Sequence, residues 1–373
     1  MVERRVWDAE CRRFEPSRRD SMLSFVLGTR PELIKARPLL LLAKKRKIAT
    51  RVILTGQHTD LAIGTGVKAN IYLNIPSEND PEAYVNMCVD GLKDQYTGST
   101  KDTIVVIGDT ASALAGARYG NQAGIPVAHV EAGLRSGDEK DPWPEEGFRK
   151  EIDQLATYHF CPTEGNFANL QSEGVGQWIR EEIPGGFCAT TGRIITGNTI
   201  VDALRLGGFV RTPPKGYVLV TLHRRESFGE PLRNILIGLR NFAISHPSVP
   251  ILWPLHPNPA VGEALRAVPM PVNVMLRGPV PYSGFVELLC SATCVLTDSG
   301  GVIEEATTLG VPIVCARNKT ERPEAFTVPW NALAGTHAMS VEGYLRQTFH
   351  ATGEPFACFG TGYASEAILE VMC

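Results

Sequence analysis

The stretch TDSGGVIEEATTLGVP, Thr297 to Pro312, decides the fold. Before it, Cys294–Thr297 is short and largely apolar, the pattern of a buried parallel strand. After it, Val302–Leu309 has helical spacing, and Gly310-Val-Pro312 stops the helix and opens a further strand, Ile313–Cys315. A strand, a glycine turn and a helix leave backbone N–H groups at the positive end of the helix dipole, where a phosphate can sit. Glycines let such a group approach the main chain closely. A tight turn without a ligand would show the same two glycines, so the neighbouring segments have to choose.

Outward from this turn the same unit recurs. Upstream lie strand candidates Tyr217–Thr221, Pro250–Trp253 and Asn273–Leu276. A break near residue 210, marked by RTPPKG, separates them from an earlier series: Leu23–Leu27, Arg51–Thr55, Thr103–Ile107, Pro126–Val130 and Tyr158–Cys161, with a helix over Ala111–Gln122. Strands alternating with helices predict two Rossmann-like, doubly wound parallel-sheet domains, an α/β class, with a cleft between the carboxyl ends of their strands. The expected organisation is an extension at 1–21, a first domain at 22–208, a second at 209–352, and a C-terminal helix within 353–373 packing back on the first domain.

Composition narrows the function. The 373 residues include 21% charged ones and carry a net charge of -3, so no general attraction to nucleic acid or to an anionic membrane is expected. No apolar run reaches the roughly 18 residues of a membrane span, and no apolar signal core opens the chain, which predicts a cytoplasmic protein. The nine cysteines are scattered and free of CxxC pairs; Cys161, Cys290, Cys294 and Cys315 read as reduced core thiols, and no metal site is expected.

The chemistry-bearing residues cluster at predicted strand ends. LGTRPELIKARP places Arg30 and Lys35 after the first strand, a fork and a point charge suited to a diphosphate. VIGDT places Asp109, HVEAGLRSGD places Glu131 and Arg135, and PWPEEGFRKEID places Glu145. Each has a plainer reading, as a helix cap, an acidic helix start or surface charge. Three carboxylates aimed at one cleft nevertheless make a coherent acid–base set. In the second half, VTLHRRESFGEP presents His223, WPLHPNP presents His256, and NKTERPEAF presents Arg322. Ser299, Gly300 and Gly301 would take a diphosphate, and Glu305 could accept ribose hydroxyls.

The ordered set GTRPELIK, TGQH, GDT, HVEAGLRSGD, PWPEE, TGNTIVDAL, TLHRRESFGEP, HPNP, TDSGGVIEEA and TERPEA resembles the non-hydrolysing UDP-N-acetylglucosamine 2-epimerases, from about Leu23 to the C-terminus. The resemblance implies the two-domain architecture of B-type glycosyltransferases. It also implies a homodimer, and epimerisation at C2 of the sugar by elimination and re-addition of UDP through 2-acetamidoglucal. No cofactor and no catalytic metal are needed in that scheme. It implies acid–base roles for Asp109, Glu131 and Glu145, and diphosphate contacts from Ser299, Gly300 and Gly301. It further implies a ribose contact from Glu305 and an anion site of Arg322, Arg30 and His223. Gln57 and His58 match a second, activating nucleotide-sugar site, but Thr59 stands where the family has a basic residue, and Gly64 and Gly66 follow. Weak or absent activation by substrate is therefore expected. A glycosyltransferase on the same scaffold is the alternative, and a non-catalytic nucleotide-sugar binder the third reading.

Overall fold

The computed structural model of the protein describes residues 21–56, 66–176, 179–183, 186–255 and 258–372. The chain forms two sheets. The first contains β1 (Met22–Leu27), β2 (Ala49–Gly56), β3 (Ile71–Ile75), β4 (Thr103–Ile107), β5 (Val127–Val130), β6 (Tyr158–Cys161), β7 (Ile179–Ile183) and β8 (Gly186–Ile195), in the order β3-β2-β1-β4-β5-β6-β8-β7. It is parallel except for the antiparallel pair β7–β8. The second contains β9 (Val218–Thr221), β10 (Ile251–Pro254), β11 (Val274–Arg277), β12 (Cys294–Thr297), β13 (Ile313–Cys315) and β14 (Asn331–Leu333), all parallel, in the order β11-β10-β9-β12-β13-β14.

The central strands are apolar runs because helices cover both faces. Phe25, Val26 and Leu27 of β1 and Val218, Leu219 and Val220 of β9 have no exposed surface. Among the parallel strands of each sheet the order reverses at one point, beside β1 in the first and β9 in the second. Ligands of open α/β sheets bind outside the carboxyl ends of strands at such points. The loops that meet there are Gly28–Arg30 and Gly108–Thr110 from β1 and β4, and Leu222–Arg224 and Asp298–Gly301 from β9 and β12.

Four strands lie outside the expected series. β3 and β14 are short edge strands whose buried positions are too few to stand out. The β7–β8 hairpin, Ile179–Ile183 and Gly186–Ile195, extends the other edge of the first sheet. Two helices tie the halves together. The helix Ala364–Met372 sends Ile368, Leu369 and Met372 into the core beneath β1, and Asp202 accepts the N–H groups of Ala364 (3.1 Å) and Ser365 (2.8 Å) at its start. The helix Thr199–Leu206 packs Ile200, Val201 and Leu204 into the core beneath β9. Cys161, Cys290, Cys294 and Cys315 are buried and free. Among the described residues, no helix is long and apolar enough to cross a membrane.

Candidate active site

The first wall of the site is built on β4 and β5. Gly108 turns the chain with φ of 72°, a left-handed conformation glycine adopts without penalty, and delivers Asp109 to the strand end. Buried His129 fixes this turn: Nε2 lies 2.9 Å from the Gly108 carbonyl oxygen and Nδ1 lies 2.6 Å from Asp153. Asp109 pairs with Arg149 (2.5 Å), whose guanidinium also reaches Glu146 (2.8 Å) and Glu321 (3.0 Å). Arg149 is thereby an anchor between the two halves of the chain. Glu145 opens the helix Glu145–Leu155, a position favoured for a carboxylate by the helix dipole. Its Oε2 is buried without a hydrogen-bond partner, and burial followed by the neighbouring Asp109 charge raises its carboxyl above the usual range.

Glu131 follows β5 with φ of 74°, a strained conformation for a residue with a side chain. Its N–H donates to the Phe160 carbonyl (3.0 Å), which helps hold that geometry. The carboxylate accepts from Lys35 Nζ (2.5 Å), Asn198 Nδ2 (3.1 Å) and Arg322 NH2 (2.9 Å). Burial alone would raise its pKa, but the Lys35 and Arg322 charges outweigh that and hold it at about 2.

The second wall is the Asp298–Gly301 turn. Asp298 accepts the main-chain N–H groups of His223 (2.9 Å) and Arg224 (3.0 Å), so it joins two loops rather than facing the cleft. Ser299 donates its N–H to Thr297 Oγ1 (3.0 Å) and caps the helix Gly300–Leu309, whose first amides are the usual unpaired N–H groups of a helix start. A Cβ at 300 would push the Arg322 guanidinium out of its place, whereas at 301 that side is open. Glu305 is buried one turn further along, beside the Tyr282 hydroxyl, and burial raises it to about 7.

Two cavities open between the walls. One of ≈ 530 Å³ has Asp109, Glu145, His223 and Arg224 in its lining, together with Tyr84 and Phe148. One of ≈ 200 Å³ is lined by Arg30, Ile34, Tyr282 and Phe285 among others. Asp109, Glu145 and His223 thus share one space, while Glu131 lies behind them, its Oε2 against Gly108.

Arg30 and Lys35 do not act as the expected pair: Arg30 faces the smaller cavity and Lys35 is spent on Glu131. Arg135, expected to contact substrate, lines neither cavity: Asp153 (2.8 Å) and Glu173 (2.6 Å) hold its guanidinium. Gln57, His58 and His256 lie outside the described residues. The sequence reading passed over Asn198, Glu304, Tyr282 and Phe285. Asn198 reads as a helix cap, which it also is, and the two aromatics carry no motif.

The residues 41–373 match the family model described as UDP-N-acetylglucosamine 2-epimerase. The chain belongs to this family. It is 36% identical to the UDP-N-acetylglucosamine 2-epimerase of Escherichia coli K12, over 93% of this chain and 97% of that one. Its structure is similar to that of the Neisseria meningitidis UDP-GlcNAc 2-epimerase solved with UDP-GlcNAc bound, with TM-score 0.81 and 31% identity over 94% of this chain and 99% of that one. A Medicago truncatula protein solved with UDP-glucose, at 14% identity and TM-score 0.53 over 95% of this chain and 94% of that one, shares the fold alone. The epimerase family is thus built on the two-sheet architecture that the sequence predicts.

Proposed function

We propose that this protein interconverts UDP-N-acetylglucosamine and UDP-N-acetylmannosamine. One observation supports it most: Asp109 and Glu145 share a cavity with His223 and Arg224, so carboxylates and nitrogen donors face one another across it. The smaller cavity, with Tyr282 and Phe285 in its wall, suits the uracil base. Glu305 then meets the ribose. Ser299, Gly300, Gly301 and Arg322 take the diphosphate, with Arg30 and His223 at its flanks. The hexosamine occupies the larger cavity.

In the forward direction a carboxylate of the Asp109, Glu131 and Glu145 set removes the C2 proton. The C2–H electron pair forms the C1–C2 double bond and the C1–O bond breaks, releasing UDP beside 2-acetamidoglucal. UDP then adds back to C1 as C2 takes a proton on the opposite face. Glu145, raised by burial, suits the proton donor, and Asp109, paired with Arg149, suits the acceptor. Donors aimed at the departing diphosphate stabilise the charge that develops there.

Incubation with UDP-GlcNAc in deuterated water tests this. Deuterium at C2 and the appearance of UDP-ManNAc are expected. Sugar transfer without C2 exchange would favour the glycosyltransferase reading, and nucleotide binding without turnover the non-catalytic one. The same reading makes the protein a cytoplasmic homodimer. Light scattering checks the assembly and cell fractionation checks the compartment.

A further inference from the structure

The helix Gly300–Leu309 carries a second carboxylate that the reaction above leaves without a task. Glu304 has no exposed surface. Its Oε1 accepts from Arg322 Nε (2.6 Å) and from Asn198 Nδ2 (3.0 Å), and its Oε2 has no hydrogen-bond partner. The same Asn198 amide and the same guanidinium also serve Glu131, at 3.1 and 2.9 Å. Asn198 Oδ1 accepts the Ile200 N–H (3.1 Å), which turns Nδ2 toward both carboxylates. With Nε held by Glu304 and NH2 held by Glu131, the remaining arm of Arg322, NH1, lies against Gly300. NH1 has the Glu321 carboxylate 2.9 Å away but out of hydrogen-bond alignment.

We propose that Glu304 is a positioning residue: it orients Arg322 so that NH1 meets the diphosphate at the Gly300 turn, and it carries a proton when the nucleotide is bound. The proposal rests on the placement of UDP given above. Glu304 faces Arg322 from the loop after β13, with Glu321 against the same guanidinium, Lys35 from the helix Arg30–Arg46, Glu131 from the end of β5, and Glu305 beside it; half-buried Cys358 lies nearby. Two carboxylates sharing one amide and one guanidinium are hard to keep ionised together. Burial, with the Glu131 charge and against the pull of Arg322, raises Glu304 to about 7. A diphosphate adds negative charge on the far side of Arg322, so binding favours the protonated form further.

Calorimetric titration of the full chain with UDP, repeated in buffers of different ionisation enthalpy, counts the protons taken up. It is run at about pH 7 to 8, where the nucleotide's own phosphate is largely ionised. Wild type should take up a fraction of a proton that grows across this range, and its UDP affinity should fall as pH rises. Glu304→Gln, an isosteric neutral acceptor, should abolish the uptake and flatten that fall. Glu304→Ala should bind UDP about tenfold more weakly than Glu304→Gln, because Arg322 Nε loses its anchor. Zero uptake by wild type overturns the proposal without any variant. So does uptake that survives in Glu304→Gln, or that disappears only in Glu305→Gln. If wild type binds no UDP at all, the nucleotide reading fails, and this one with it.

Discussion

The two walls of the cleft use the same architecture to present opposite residue types. At the switch point of the first sheet, β4 and β5 end in Asp109 and Glu131, with Glu145 on the next helix. At the switch point of the second, β9 and β12 end in main-chain amides, His223, Arg224 and the glycine turn. The fold supplies strand ends; only the residues placed on them decide whether an end takes protons or holds anions. Burial acts differently on the two sides as well. Glu131 is held at about 2 by the cations beside it, whereas Glu304 and Glu305, on the second wall, are lifted to about 7 by burial.

The sharpest way to break this division is to neutralise the first wall. Asp109→Asn and Glu145→Gln should each lower turnover about 100- to 10,000-fold, the usual worth of a positioned acid or base. UDP affinity should stay near wild type in both, since neither side chain reaches the Gly300 turn. Glu131→Gln should lower turnover and also weaken UDP, because it loosens Lys35 and Arg322. Turnover at the wild-type level in all three would remove the acid–base assignment.

Damage to the second wall should show first in binding. Arg322→Ala deletes a buried, hydrogen-bonded guanidinium and leaves Glu131 and Glu304 short of a partner. Loss of one such partner typically costs about 2–5 kcal/mol, so calorimetry should read UDP affinity at least tenfold weaker. An unchanged dissociation constant for UDP would place the diphosphate elsewhere.

The carboxylates on the two walls also predict opposite pH windows for stability. Glu304 and Glu305 ionise near 4.5 in an unfolded chain and near 7 in the folded protein. Between those values the folded state holds protons that the unfolded chain has released. Stability therefore falls as pH rises from about 4.5 through 7, by at most about 3 kcal/mol for each group. Glu131 runs the other way: its contribution is complete above 4.5 and is lost as pH falls toward 2. Urea unfolding of wild type and Glu305→Gln across this range checks it. Equal pH slopes for the two proteins would show that Glu305 is not held in its protonated form.

Much of this plan is written in local patterns. The turn after β12 was legible because a strand, two glycines and a helix occur in one run of residues. Asp109 and Glu131 stood out because each ends an apolar strand. What stayed hidden depends on residues far apart in the chain. Glu304 looks like ordinary helix polarity until Arg322 and Asn198 arrive on it, across 18 and 106 positions. Asp298 looks aimed at a ligand until the N–H groups of His223 and Arg224 take it. The small cavity is a juxtaposition of Ile34, Tyr282 and Phe285 that no spacing rule announces.

Arg135 marks where the first wall ends, and it should have the smallest effect on turnover. It sits four residues beyond Glu131, in the same HVEAGLRSGD block, yet it lines neither cavity and its charge is paired with Asp153 and Glu173. Asp153, fully buried, depends on it at 2.8 Å and on His129 at 2.6 Å. Arg135→Gln should therefore cost about 3 kcal/mol of stability, the order expected when one partner of a buried ion pair is removed. At a temperature where the variant stays folded, turnover and the KM for UDP-GlcNAc should lie within about twofold of wild type, the scale left when no transition-state contact is lost. A tenfold rise in KM with stability intact would return Arg135 to the substrate and extend the first wall past Glu131.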